Sequence, residues 1–294
     1  MGKIFAIIGM INYLGVVFLN AFTDLGHKII IQNTIFKVYD GEMQIILTSI
    51  VNALILLPFI LMFSPSGFLA DRYAKNIIMK HASLLAVAIT LLITLSYYNG
   101  WFYVAFGLTF LLALQSAIYG PAKYGYIKEL VGEKHICSGN GAVQAVTTIA
   151  ILGGIIFYTV LFENLLHNQF VTQEEVLQAV APLGWLLVTG SVIEWFLSTT
   201  LPTRMLHNTK RKFDYKKYLR GEYLYKNLKI IRRKPEVFEA IIVLSLFWSI
   251  SQVILSIFGE YSAYLIIITK YLTASITSLS LSAPLTFTGF PSSP

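Results

Sequence analysis

The sequence predicts an all-α, polytopic membrane protein, and three observations carry that prediction. Composition is the first. Of 294 residues, 56% are hydrophobic and 13% charged, whereas soluble domains have about half their residues apolar and about a quarter charged. Spacing is the second: the charges cluster, and the runs between clusters are long enough to cross a hydrocarbon core of about 30 Å as helices. The third is a pattern not found, the alternating segments of about ten residues that a β-barrel needs.

Seven spans follow in order: 4–25, 44–64, 77–97, 101–120, 141–162, 182–201 and 237–258. The first has no charge between Ile4 and Asp24. It is too long for a signal peptide and lacks a small-residue cleavage site, so it is expected to stay as the first helix. The second carries Leu and Ile almost without interruption up to Ser64-Pro65. The third begins after Lys75, and the fourth ends at Tyr119-Gly120-Pro121. The sixth contains one acid, Glu194. An eighth run, 263–282, is weaker because Ser and Thr replace much of the Leu and Ile.

Loop charge sets the orientation. Segments after spans two, four and six carry Arg72, Lys75, Lys80, Lys123, Lys128, Lys134 and a dense group from Arg204 to Lys234. Segments after spans one, three and five carry Lys28 and Lys37, balanced by Asp40, Glu42, Glu163, Glu174 and Glu175. Lys and Arg accumulate in cytoplasmic loops, so the amino terminus is expected in the cytoplasm. The net charge of +7 is explained the same way, with no nucleic-acid partner. Cys137 is the single cysteine, which excludes an internal disulfide and a cysteine metal cluster.

The organisation expected is a six-helix bundle over 1–202, a basic amphipathic cytoplasmic linker over 203–235, and the start of a second bundle over 236–268. Residues 269–294 form a low-complexity tail, read as a truncation or frameshift. In the linker, Tyr215, Tyr218, Leu219, Tyr223, Leu224, Leu228 and Ile231 recur at three- and four-residue steps among Lys and Arg, the pattern of an interfacial helix. Its charges read first as an orientation-setting linker, and in the sharper alternative as a surface for anionic lipid headgroups. Between spans five and six, Thr172-x-x-Glu175 has the capping-box arrangement and predicts a short helix on the outer face.

Two motifs are more specific. Gly67-Phe-Leu69-Ala70-Asp71-Arg72-Tyr-Ala-Lys75 follows span two. Glycine lets helices approach closely, and Asp71 can accept from Arg72, Lys75 or a helix terminus. The second runs Tyr119-Gly120-Pro121-Ala122-Lys123-Tyr124-Gly125, then Ile127-Lys128-Glu129-Leu130 and Asn140-Gly141. The first motif is similar to the signature between helices two and three of the major facilitators, with Ala74 where that family has glycine. The second resembles the lysophospholipid transporter branch, as do Phe22-Thr23-Asp24 and Leu246-Phe247-Trp248. The resemblance covers roughly residues 5 to 260. A bacterial inner-membrane location and the amino-terminal six-helix bundle of the major facilitator fold, plus a seventh helix and a partial tail, are what it implies.

The resemblance also implies roles. Lys123, with Tyr124, Tyr119 and Asp24, would bind the anionic lysophospholipid, the lysine as a flexible point charge for phosphate. Gly67, Asp71, Arg72 and Lys75 would form a conformational switch. Asp24 and Glu194 would serve a coupling ion, proton or sodium. No cofactor or metal is implied. A charge at mid-membrane costs about 2.5–3.5 kcal/mol against about 0.3–0.6 gained per Leu or Ile, so both acids should face a bundle interior. From the residues alone, Asp24 also reads as an interfacial acid where the helix loosens near Gly26-His27. Likewise, Glu194 reads as a partner for a hydroxyl such as Thr147, and Glu129 as a partner for Lys123 or Lys128. Tyr13, Tyr119, Tyr124, Trp185 and Trp248 read as candidate cavity aromatics, with the bilayer interface as the commoner place for such residues.

Departures limit the transfer. The family's basic residue in span seven is absent between Gln252 and Phe258. Some relatives continue into a fused acyltransferase, but no histidine here has Asp five residues later, so the expectation is transport rather than enzymatic activity. Membrane lipids, and a fused or associated acyltransferase in longer relatives, are the partners implied. A major facilitator permease for a small solute or drug, or a non-transporting membrane anchor, remain the alternatives.

Overall fold

The computed structural model describes residues 5–166, 172–203, 213–247 and 249–250. The expectations placed on Trp248 and on 251–294, including most of span seven and the tail, lie outside the described residues. The chain divides into two compact units, Met1–Tyr218 and Leu219–Pro294.

In the first unit, five helices are long and apolar enough to cross a membrane. They are α1 (Met10–Val38), α2 (Gly41–Arg72), α3 (Lys75–Tyr98), α4 (Phe102–Val131) and α5 (Ile136–Leu165), the last preceded by a 3-10 turn at Glu133–His135. A short helix α6 (Gln173–Ala179) leads into α7 (Pro182–Thr199), and this pair makes a sixth span if its 58° bend is counted within one crossing. Helix α6 begins with the expected capping box, Thr172 accepting from the Glu175 backbone and Glu175 from the Thr172 backbone. A further short helix, α8 (Tyr215–Leu219), runs to the division between the two units.

Five crossings are longer than their hydropathy suggests. Helix α1 has 29 residues, about 44 Å at 1.5 Å per residue, against a core of about 30 Å. The span expected at 4–25 is therefore corrected to 10–38, and the loosening expected near Gly26-His27 does not occur. A hydropathy reading stops at Asp24 and Lys28. The backbone continues because its hydrogen bonds do not depend on side-chain polarity, and because Thr23, His27 and Thr34 are buried against other helices.

Pairing of helices follows small residues. Helix α1 packs on α5 and α7, α3 on α4 and α7, and α2 on α4. A Cβ on Gly26 would collide with the Tyr158 ring of α5. On Gly184 and Gly190 of α7 it would meet Thr94 of α3 and Thr23 of α1 at 2.7 and 2.6 Å. Such positions let backbones approach where the solvent on both sides is apolar and association rests on packing. Gly9, just before α1, has φ 90° and sits against Pro202, where a side chain would be 2.7 Å from Cδ; left-handed backbone and close approach both require glycine there.

Helix α2 carries Pro58 and Pro65 in its interior. Proline has no N–H to donate to the carbonyl four residues back. For Pro65 that carbonyl is Leu61, which instead accepts from the Tyr218 hydroxyl at 2.5 Å. The Phe213 ring packs on Phe68 and on Tyr218 at 5.2 and 5.8 Å, so the start of the linker is pinned to the proline turn.

In the second unit, Gly221 (φ 71°) precedes α9 (Glu222–Arg232), and a further helical stretch starts at 235. The amphipathic pattern expected in the linker is realised in α9. Leu224 and Leu228 lie on one exposed side, with Lys226 and Lys229 turned away from them by helical periodicity.

Candidate functional site

Asp24 lies near the middle of α1, about 20 Å from either end. It is held by α4: the Ser116 hydroxyl donates to its carboxylate, with Gln115 Oε1 as an alternative acceptor at 3.1 Å. Gln115 in turn donates from Nε2 to the Ala82 carbonyl of α3 at 3.0 Å. A second carboxylate enters from α7. Glu194 is buried and accepts from Ser83 of α3 at 2.6 Å, and the buried Asn20 side chain lies beside it. Thr147, the partner expected for Glu194, is not used; its hydroxyl is buried and unpaired. Serine on α3 rather than threonine on α5 holds Glu194 because α7 packs along α3.

Lys123, one to two helical turns beyond Ser116 on α4, joins this cluster. Its charge interacts with those of Asp24 and Glu194, and its ammonium sits 5.0 Å from the centre of the Tyr124 ring, within the reach of a cation–π contact. The residue is 8% exposed. Tyr13 donates to the Lys123 carbonyl at 2.7 Å, fixing the α4 backbone to α1. Tyr119 is buried beside the two acids with its hydroxyl unpaired. Tyr124 is 53% exposed and meets the cluster at the Lys123 ammonium. Trp185 is exposed and donates to the Tyr98 hydroxyl at 3.2 Å, away from this cluster.

Two carboxylates and one ammonium thus share an interior where charge is costly unless paired. The arrangement can attract a cation to the acids, or present the lysine to an anion. Among the described residues, no group of three or more His, Cys, Asp and Glu is placed to hold a metal ion.

The second motif region is built differently from the expectation. Lys75, at the start of α3, pairs with Glu129 near the end of α4, both side chains largely buried. Gly125 makes room for it: a Cβ there would meet Lys75 Cε at 2.5 Å. Glu129 therefore pairs with neither Lys123 nor Lys128, and Lys128 turns to Glu133 at 2.8 Å. Asp71 is exposed and makes no ion pair among the described residues, while the Arg72 guanidinium lies 5.5 Å from the Tyr73 ring centre. No atom lies within 4 Å of a Cβ on Gly67, so the close approach falls at Gly125 instead. The proximity reading failed because α3 and α4 run antiparallel, which brings residues 54 apart to one end of the bundle.

Sequence reasoning passed over His27. It is fully buried, its Nδ1 2.7 Å from the Tyr97 hydroxyl and its Nε2 3.0 Å from Thr109 Oγ1, linking α1, α3 and α4. Ser83, Gln115 and Ser116 were also missed. Their signal was an uncharged polar residue inside an apolar run, which is too common in membrane helices to single out one.

The sequence profile described as Major Facilitator Superfamily matches residues 2–294. The chain belongs to the Major Facilitator Superfamily. With its apolar crossings, this facilitator is a multi-pass membrane protein. It is also similar to a curated relative, the lysophospholipid transporter LplT of Photorhabdus laumondii subsp. laumondii, 33% identical over 107 residues. That match takes in 36% of this chain and spans a quarter of the relative's length.

Proposed function

We propose that this facilitator is a secondary transporter, or part of one, that moves lysophospholipids such as lysophosphatidylethanolamine across the inner membrane for reacylation. The observation that carries the reading is Lys123: a buried ammonium inside a membrane bundle, held among Asp24, Glu194 and Tyr119. A lysophospholipid offers one phosphate for that charge and one chain for the apolar surroundings. The Pro121-Ala122-Lys123-Tyr124-Gly125 element and the similarity to a lysophospholipid transporter support the same class.

Asp24 and Glu194 are the coupling-ion groups in this scheme, and Tyr124 flanks the phosphate. Lys75, with Gly67, Asp71 and Arg72, acts as the conformational switch, its pair with Glu129 holding the α3 and α4 ends together in one state and releasing them in another. Loop charge supports a cytoplasmic amino terminus. Residues 1–202 are the first bundle, 203–235 the linker and 236–268 the start of the second. A fused or associated acyltransferase would use the delivered lipid.

Proteoliposomes carrying the chain, in its longest natural form, test the reading with labelled lysophosphatidylethanolamine. Protein-dependent translocation that is lost in Lys123→Ala is expected. Uptake of soluble solutes without lysolipid movement would instead assign a small-solute permease, and neither activity would leave a membrane anchor.

A further inference from the structure

Helix α4 is flanked by α2 on one side and α3 on the other, and between these flanking helices lies a groove of about 380 Å³. This is within the range of small-molecule sites, about 300–1,000 Å³. Its rim is formed by Tyr73, Ile77 and Leu85, all exposed. Ala82, Ile118 and Gln115 make its floor. The rim residues run from the first residues before α3 to its eleventh, about 15 Å of helix, or half the thickness of a hydrocarbon core. The groove is thus a slot in one leaflet, at the end of the bundle that carries Lys75.

Its surface is almost wholly apolar; His81 and Gln115 are the polar residues apart from the Tyr73 hydroxyl. At the mouth the chemistry changes. Tyr73 carries the Arg72 guanidinium 5.5 Å from its ring centre, and Arg72 has no acidic partner among the described residues. A chain-wide apolar slot, open along its side and ending at an unpaired guanidinium, matches one kind of molecule in a bilayer.

We propose that the groove between α2 and α3 is a resident phospholipid site, holding one acyl chain against Ala82 and Ile118 with the lipid phosphate at Arg72. The occupant is a diacyl lipid of the surrounding leaflet rather than the transported species, because the floor is closed. Gln115 is tied to the Ala82 carbonyl at 3.0 Å, and the next residue, Ser116, turns about 100° around α4 to reach Asp24 on the other side. The slot and the central polar cluster are therefore neighbours, with the buried Gln115 side chain, which accepts from Ser116 at 3.1 Å, standing between them. This site is independent of the lysolipid reading.

The test uses the full chain in phosphatidylethanolamine vesicles with a phosphatidylglycerol bearing a photoreactive group in its acyl chain. Crosslinked peptides are mapped by mass spectrometry. Labelling of α3 and α4 at Ile77, Leu85 and Ile118 is expected to saturate, and to fall several-fold with excess unlabelled phosphatidylglycerol. Labelling of the exposed α7 residues Ile193 and Phe196, which lie outside the groove, should not saturate. Ile118→Trp, which fills the slot, should lower groove labelling several-fold and leave α7 labelling unchanged; Leu85→Trp at the rim serves the same purpose if that variant fails to fold. Arg72→Gln should raise the amount of competitor needed. Groove labelling that is as unsaturable as that of α7 overturns the site. Competition by lysophosphatidylethanolamine but not by phosphatidylglycerol overturns the resident-lipid assignment while leaving the transport reading intact.

Discussion

The Tyr218 hydroxyl donates to the Leu61 carbonyl at 2.5 Å, the carbonyl that Pro65 leaves without its helical donor. A residue of the linker thereby completes the hydrogen bonding of a membrane helix. Tyr218→Phe should lower stability by about 0.5–1.5 kcal/mol, the usual worth of one such bond. In a Pro65→Ala background the helix supplies its own donor, so the same change should cost less. Thermal unfolding of all four chains in one detergent measures the difference as a double-mutant cycle.

Lys75 and Glu129 form an ion pair with both side chains largely buried. Removing one member strands the other, so Glu129→Ala should cost about 3 kcal/mol or more. The double change Lys75→Met with Glu129→Leu should recover most of that loss, because two apolar side chains need no partner. Unfolding midpoints of the single and double variants decide it; equal loss in both would mean the pair is not coupled.

Gly125→Ala should disturb the same pair without touching a charge, since its Cβ would fall 2.5 Å from Lys75 Cε. The lysine side chain must move, and protease access to the α3–α4 end should rise relative to Gly120→Ala, whose Cβ meets nothing within 4 Å.

His27 bridges Tyr97 and Thr109 through both ring nitrogens. His27→Leu leaves two buried hydroxyls unpaired, at about 1–3 kcal/mol each, whereas Tyr97→Phe leaves only one ring nitrogen. The first should lower the unfolding temperature more than the second.

In proteoliposomes active for lysolipid, Asp24→Asn and Glu194→Gln should each reduce transport while the protein remains folded, because the amides keep the size and the hydroxyl contacts to Ser116 and Ser83 but lose the charge. Unchanged transport in both variants would remove these acids from the coupling role.

Much of this protein was determined by its sequence alone. Apolar runs separated by clustered charge specify helical crossings, because an unpaired backbone group in lipid costs several kcal/mol and a helix satisfies all of them internally. The capping box at Thr172 and Glu175 was legible for the same reason: its partners are three residues apart. Asp24, Lys123 and Glu194 stood out because a charge in a span is expensive. What they touch did not. Ser116 lies 92 residues from Asp24, Ser83 lies 111 from Glu194, and Glu129 lies 54 from Lys75. Those pairings follow from which helices run antiparallel and side by side, set by glycine contacts such as Gly184 against Thr94. Hydropathy measures each residue against lipid, one at a time. Only the packed bundle decides which polar atoms face one another, and so where charge inside the membrane is matched.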